Sequence, residues 1–388
     1  MGRPLRTEQF SSEEVGIVHC VQRCVRRAFL AGVDAETGKD FSKRKEWIRR
    51  RMEALASVFG CDVLTYAIMS NHLHIILRNR PDVVEQWSDE EVAIRWLRIF
   101  PGKRLDEHLG EPTDHDVQTL VANEERLAEV RVRLRDISWF MRALCEPVAR
   151  LANKEDQCTG RFWEGRFKAQ RITDEAGLLA CSMYVDLNPI RAAMAESPEQ
   201  ARHTSAYDRI QSQRGKEIAS AARELKAVPQ EKAAEEIKTI PAKDLKKIRA
   251  ARLRGTREKI PRDAWLAPLT MNPKDTSEKA QIHKKGLRAS DKGFLCLKLE
   301  EYLDLLRWTA RQGPFGKTER SKVPPRLAEA VAKLGIDLTM WCDLVWNFKR
   351  YFGRSSCAGS PDSMSAYADS HSRQWSRGQA SVAECFSS

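Results

Sequence analysis

Apolar and polar positions along this chain change period several times, and each change marks an element. Val15, Ile17, Val18 and Val21 supply β-branched residues that predict a strand over 15–25. Trp47, Ile48, Met52, Leu55 and Phe59 then recur at helical spacing over 41–59, with Ser42 placed to cap the start and Gly60 to stop the end. Val63, Leu64 and Ile68 predict a second strand over 61–69. Ser70 and Asn71 make a tight turn, and a third strand follows over 72–77. Val84, Trp87, Val92, Trp96 and Ile99 give a helix over 82–99, ended by Pro101 and Gly102. A polar stretch leads to one or two Arg- and Glu-rich amphipathic helices over 117–151, then a loop over 153–160. Residues 173–188 read as a helix, capped by Thr173, with Asp174 and Glu175 suited to its positive end.

Past residue 211 the pattern dissolves. Residues 212–290 are dominated by Lys, Glu, Ala and Arg with few aromatics, which predicts a charged, partly helical linker rather than a packed core. Apolar residues return over 293–353, from Leu295 and Tyr302 to Trp346 and Phe348, and predict a small helical unit. The Ser- and Gly-rich stretch 355–388 reads as a loosely ordered tail. The expected organisation is therefore a first unit over 1–211, a linker over 212–290 and a helical C-terminal region over 291–388. At 388 residues the chain is long enough for two domains, or one with a large appendage. It contains no internal repeat, no long apolar run and no apolar signal core near residues 1–10, so a cytoplasmic protein is expected.

Charge narrows the partner. Against 54 acidic residues stand 66 basic ones, a formal net charge of +12, which favours a polyanion such as nucleic acid over ordinary solubility charge. Ten cysteines add little. The nearest two, Cys20 and Cys24, have no second pair at zinc-site spacing, so idle thiols are the better account than a structural zinc.

Three short segments carry candidate chemistry. In Asn71-His72-Leu73-His74 the histidines stand two apart, so a strand presents both imidazoles on one face and turns Leu73 and Ile75 to the other. That is half of a divalent-metal site, although a bare His-x-His is more often two polar residues on a solvated face. In Tyr184-Val185-Asp186-Leu187-Asn188-Pro189, Tyr184 and Asn188 share a helix face four residues apart. A phenol can attack phosphorus when a cation draws charge from the phosphate, and an amide oxygen one turn away can complete the cation's ligands. The alternative is a core tyrosine and an Asn ending the helix, with Pro189 kinking or stopping it. The third segment runs from Gly160 through Arg161, Phe162, Trp163, Glu164, Gly165, Arg166, Phe167, Lys168, Ala169 and Gln170 to Arg171. Basic residues interleaved with aromatics suit a single-strand platform, where bases stack and cations follow phosphates. An ordinary β-hairpin with a charged outer face reads equally well.

Together these segments resemble the REP-associated tyrosine transposases, a group of the single-strand HUH transposases of insertion sequences. The likeness rests on His19 and Arg23, on Met69-Ser70-Asn71-His72-Leu73-His74, on Gly165-Arg166-Phe167, and on Tyr184 through Asn188 to Pro189-Ile190-Arg191-Ala192, in that order, within about residues 13–210. Two later stretches, Tyr302 to Trp308 and Trp375-Ser376-Arg377-Gly378, resemble the C-terminal part of longer members. The resemblance implies an α+β fold, with a ferredoxin-like antiparallel sheet carrying the His pair on a central strand. It implies Mg²⁺ or Mn²⁺ held by His72, His74 and Asn188, and Tyr184 as nucleophile on single-stranded DNA bearing hairpins or palindromic repeats. Arg23, Arg161, Arg166, Phe167, Lys168, Arg171 and Arg191 would contact the DNA. Strands would be cut and rejoined through a 5′-phosphotyrosine, by a monomer or homodimer in the bacterial cytoplasm near the nucleoid. The chain departs from compact members by an insertion over about 79–153 and by some 180 residues after the tyrosine helix. Two other readings stay open: a nucleic-acid-binding protein without catalysis on the same fold, and a replication initiator or conjugative relaxase of the same chemistry.

Overall fold

The computed structural model describes residues 9–25, 32–33, 38–102, 111–227, 260–272, 281–313, 323–371 and 377–386. Most of the expected linker, over 228–259 and 273–280, lies outside these residues, as do Trp375 and Ser376.

The chain is a mixed α+β structure built on one five-stranded sheet. Strand β1 (Gly16–Arg23) is followed by α1 (Lys43–Ala56), then by β2 (Cys61–Ile68) and β3 (His72–Asn79), joined by the turn at Ser70 and Asn71. Residues 79–153 hold α2 (Pro81–Val84), α3 (Asp89–Ile99), α4 (Asp114–Val121), α5 (Glu124–Leu134) and most of α6 (Ile137–Glu155). The stretch 117–151 thus breaks into three helices where one or two were expected. Asn123 and Asp136 interrupt it as caps, accepting from the backbone N–H groups of Arg126 and Ser138. Strand β4 (Lys168–Ile172) leads into α7 (Glu175–Arg191) and α8 (Ser205–Ala227). After the charged stretch come α9 (Leu299–Gln312), α10 (Pro325–Ala332), α11 (Trp341–Trp346), α12 (Phe348–Phe352), β5 (Cys357–Ala358), α13 (Pro361–Ser370) and α14 (Gln379–Ala383). The tail expected to be loosely ordered therefore carries a strand and two helices.

The strand order is β2-β3-β1-β4-β5. All neighbours pair antiparallel except β4 and β5, which run parallel through Arg171–Cys357 and Ile172–Ala358. A sheet antiparallel throughout was expected; the exception arises because the last strand arrives from the C-terminal region rather than from a hairpin.

Side chains divide between two cores, one on each face. Leu73, Ile75 and Leu77 of β3 join Val18 and Cys20 of β1 against α1 and α6. Leu64, Ala67 and Ile76 face α7, α8 and the C-terminal helices. A bulge between Val63 and Thr65 in β2 keeps both faces apolar although the alternation slips by one. Because it lies between the sheet and the C-terminal helices, α7 is buried at every position from Ala176 to Pro189. Asp174, rather than Thr173, caps it, accepting from Gly177 N at 2.8 Å. A Cβ on Gly177 would fall 2.5 Å from the Ala358 carbonyl oxygen, so glycine lets α7 start directly beneath β5. Asp186 anchors the middle of the helix: it accepts from Ser205 Oγ and Tyr302 Oη, each at 2.7 Å, and from Ala206 N at 3.0 Å. Among the described residues no helix is long and apolar enough to cross a membrane.

Candidate nucleotidyl-transfer site

The register of the sheet decides what His72 and His74 meet. On the face shared with α7, His74 pairs across from Val21, His72 from Arg23, and His19 lies one pair further along β1 opposite Ile76. Residues paired across antiparallel strands share a face, so His19, His72 and His74 stand together. On the other side of β1, Gln170 pairs with His19 and Lys168 with Val21, which brings β4 onto the same surface. From below, α7 raises Tyr184: its ring meets His74 edge-on at 5.5 Å between centroids and His19 at 6.2 Å.

These groups line a cleft of about 420 Å³. Among the described residues its walls carry five cations, Arg23, Arg166, Lys168, Lys349 and Arg354, against one acid, Glu164, which sits 3.6 Å from Arg23. The imbalance makes the cleft a place for an anion. Burial, with the charge of Arg191, Arg23 and Lys168 adding to it, lowers the pKa of Lys349.

The hydrogen bonding inside the cleft is one-sided. Asn71 Oδ1 lies 2.6 Å from His72 Nδ1; an amide oxygen only accepts, so that nitrogen carries the proton and Nε2 holds a lone pair. His74 Nδ1 is 2.9 Å from His19 Nε2. His72 Nε2, His74 Nε2 and Tyr184 Oη are all buried and have no hydrogen-bond partner among the described residues. Three of the eight buried side-chain polar atoms left without a partner among the described residues fall within this one cleft, at a cost of about 1–3 kcal/mol each. Burial holds the imidazoles neutral. It lowers His72 to about 4 and His74 well below 6.5, in both cases aided by nearby positive charge, and it lowers His19 to about 4. The phenol of Tyr184 is pushed up to about 12 by burial, with Asn188 and Arg191 opposing. A neutral imidazole with a bare lone pair, as at His72 Nε2, suits a cation. Among the described residues, however, no group of three or more His, Cys, Asp or Glu is arranged to hold a metal ion.

The other expected residues divide. Asn188 is buried near Tyr184, but its amide donates to the Tyr184 carbonyl at 3.1 Å and does not line the cleft. Pro189 does not end the helix, which continues to Arg191. The Arg191 guanidinium lies 5.9 Å from the centre of the Tyr184 ring. Arg161 is exposed outside the cleft lining. Arg171 pairs with Val18, on the opposite face, and reaches back to the Val15 carbonyl. Phe167 is 8% exposed and Phe162 4%, both packed in the core on the far side of the sheet. The basic, aromatic segment is thus no open stacking platform, nor a regular hairpin: before β4 it runs past the end of β1, with an isolated bridge from Cys24 to Trp163, Glu164 N donating to the Arg23 carbonyl at 2.9 Å and Gln22 Nε2 to the Gly165 carbonyl at 3.0 Å.

Sequence reasoning passed over five contributors: His19 as a site residue, Gln170, Phe348, Lys349 and Arg354. Phe348 stacks on Tyr184 at 4.9 Å with planes 16° apart. The run Phe348-Lys349-Arg350-Tyr351-Phe352-Gly353-Arg354 interleaves bases and aromatics just as residues 160–171 do, so the composition rule applied there would have flagged it.

No protein-family model and no curated protein matches the chain. One solved structure, described as the REP-associated tyrosine transposase bound to a REP hairpin, aligns with 49% of this chain and 76% of its own at 10% identity, with a TM-score of 0.29. A TM-score of that size does not establish a common fold.

Proposed function

We propose that this protein cuts and rejoins single-stranded DNA by transesterification at Tyr184, in the manner of the REP-associated tyrosine transposases that its motifs resemble. The observation that carries this reading is the convergence of a phenol oxygen and two imidazole nitrogens, all buried and unpartnered, in a cleft walled by cations. The strand order supports a ferredoxin-like arrangement, since β4-β1-β3-β2 are antiparallel neighbours and α1 and α6 cover one face.

In this mechanism His72 and His74 would hold a divalent cation, Mg²⁺ or Mn²⁺, which would supply positive charge to the scissile phosphate. Tyr184 Oη forms a bond to phosphorus while the bond to the 3′ oxygen breaks. The phenol loses its proton, the departing oxygen gains one, and the products are a 5′-phosphotyrosine and a 3′-hydroxyl. Attack by another 3′-hydroxyl reverses the step, and the phosphodiester energy is kept throughout. Stacking on Phe348 fixes the plane of the Tyr184 ring, and Arg191 favours the phenolate as the proton leaves. Asn188 joins the ligands only if its amide releases the Tyr184 carbonyl.

With a hairpin-bearing single-stranded oligonucleotide and Mg²⁺ or Mn²⁺, the protein is expected to form a covalent adduct that survives denaturing electrophoresis. Tyr184→Phe removes the adduct completely and keeps binding, and a chelator prevents adduct formation. An adduct formed by Tyr184→Phe refutes the assignment. A second reading, nucleic-acid binding without cleavage, draws on one observation: the Asn188 amide donates to the Tyr184 carbonyl, and Asn188 does not line the cleft. Salt-dependent binding without any adduct under either metal decides for it.

A further inference from the structure

The C-terminal region meets the candidate ligand His74 through two intervening side chains. Gln170, on β4, directs its amide nitrogen at two backbone carbonyls of the segment leading into β5, Phe352 O at 2.6 Å and Ser355 O at 3.1 Å. Carbonyl oxygens accept only, so the NH₂ end of Gln170 must face them, and its oxygen is left for other donors. Across the β1–β4 ladder that oxygen meets His19, and the contact favours a proton on the His19 ring. His19 Nε2 is already committed to His74 Nδ1 at 2.9 Å, so the Gln170 bond falls to Nδ1–H. A neutral imidazole carries one N–H. With that proton on Nδ1, His19 Nε2 is an acceptor, and the proton between the two rings belongs to His74 Nδ1.

We propose that the segment 352–357 fixes the tautomer of His74 through Gln170 and His19, so that Nε2 presents its lone pair to the cleft. His19 and Gln170 are positioning residues in this scheme, and the C-terminal region is part of the site rather than an appendage to it. The geometry of the fold agrees. The residues that directly follow this segment fasten to the start of α7, by Thr173 N to Ala358 O at 3.0 Å and by Ser360 N to Asp174 Oδ2 at 2.7 Å. One short stretch therefore governs both the tyrosine helix and the imidazole opposite it. His72 reaches the same tautomer by a local device, the Asn71 side chain. His74 lies deeper, at 0% exposure, with no adjacent side chain in that role, and takes its orientation from a long-range one.

The inference rests on His74 being a metal ligand only for its purpose; the tautomer is measurable without metal. Long-range ¹H–¹⁵N correlation on histidine-labelled, metal-free protein is expected to show His74 protonated on Nδ1. Gln170→Leu frees His19 to reverse its ring proton, and a population of His74 protonated on Nε2 appears. Calorimetric Mn²⁺ affinity falls about 10- to 100-fold in Gln170→Leu and His19→Leu, the range for losing an orienting partner. His19→Gln, which retains an acceptor near the old Nε2 position, restores both the tautomer and the affinity to within about threefold of wild type, well short of that loss. Circular dichroism verifies folding, and the pair His19→Gln and His19→Leu carries the test should Gln170→Leu not fold. His74 protonated on Nε2 in the wild type, or a His74 tautomer indifferent to both Gln170→Leu and His19→Leu, overturns the proposal. Wild-type protein with the expected tautomer and no Mn²⁺ binding supports the relay and refutes the metal reading alone.

Discussion

The two faces of β3 are made from alternate residues of one eight-residue strand, and they obey different rules. On one face Leu73, Ile75 and Leu77 close a dry core with α1 and α6. On the other, His72 and His74 leave Nε2 atoms unpaired above Tyr184. The first face contributes stability through apolar area removed from water. The second gives up stability in orphaned polar atoms, and their clustering in one cationic cleft is what marks it as a candidate ligand site. The contrast separates residues that hold the sheet from residues that the sheet holds.

The comparison breaks most visibly by substitution. Ile75→Ala is expected to cost about 2–5 kcal/mol in urea unfolding, as a buried aliphatic side chain leaves a cavity. His74→Leu, one residue away and equally buried, is expected to stay within about 1 kcal/mol of wild type, because it removes an orphaned acceptor while leaving His19 Nε2 unpaired. Equal losses for both would mean that the two faces do the same work.

A pH titration sharpens the same contrast. His19 and His72 have folded pKa values near 4 against the ordinary 6.5, with burial the main cause. The unfolded chain binds these protons first. Their contribution to stability is therefore full above pH 6.5, declines as pH falls from 6.5, and levels off below about 4. For His19 alone the decline is on the order of 3 kcal/mol across that window. The urea midpoint of a His19→Gln protein should lose correspondingly less between those limits; an unchanged slope would argue that His19 is not the group titrating.

The smallest effect concerns the cations of the cleft. Lys349→Ala is expected to weaken binding of a single-stranded oligonucleotide and lower the slope of log affinity against log salt by about 0.7, one phosphate contact on a single strand. Arg161→Ala, outside the cleft, should leave the slope unchanged. A fluorescence anisotropy series over salt reads both.

Much of this was legible from the residues. Strand alternation placed His72 and His74 on one face and Leu73 and Ile75 on the other, because the period of a β-strand is local geometry. The apolar run around Tyr184 gave its helix, and the turn at Ser70 and Asn71 gave the β2–β3 pairing. What happens between distant segments had no such signal. Residues 160–171 and 348–354 share one composition, yet Phe162 and Phe167 went into a core while Phe348 went onto Tyr184. Aromatic side chains bury wherever a complementary surface exists, and only the packed molecule says where that is. In the same way Cys357 and Ala358 carry no strand pattern of their own; a two-residue strand exists because β4 offers an unpaired edge. The candidate chemistry was read from the order of the residues. Which of them meet, and that the C-terminal region reaches His74 through Gln170 and His19, was settled by tertiary contacts, since hydrogen-bond direction depends on partners nearly two hundred residues away along the chain, as Gln170 is from Cys357 with a separation of 187.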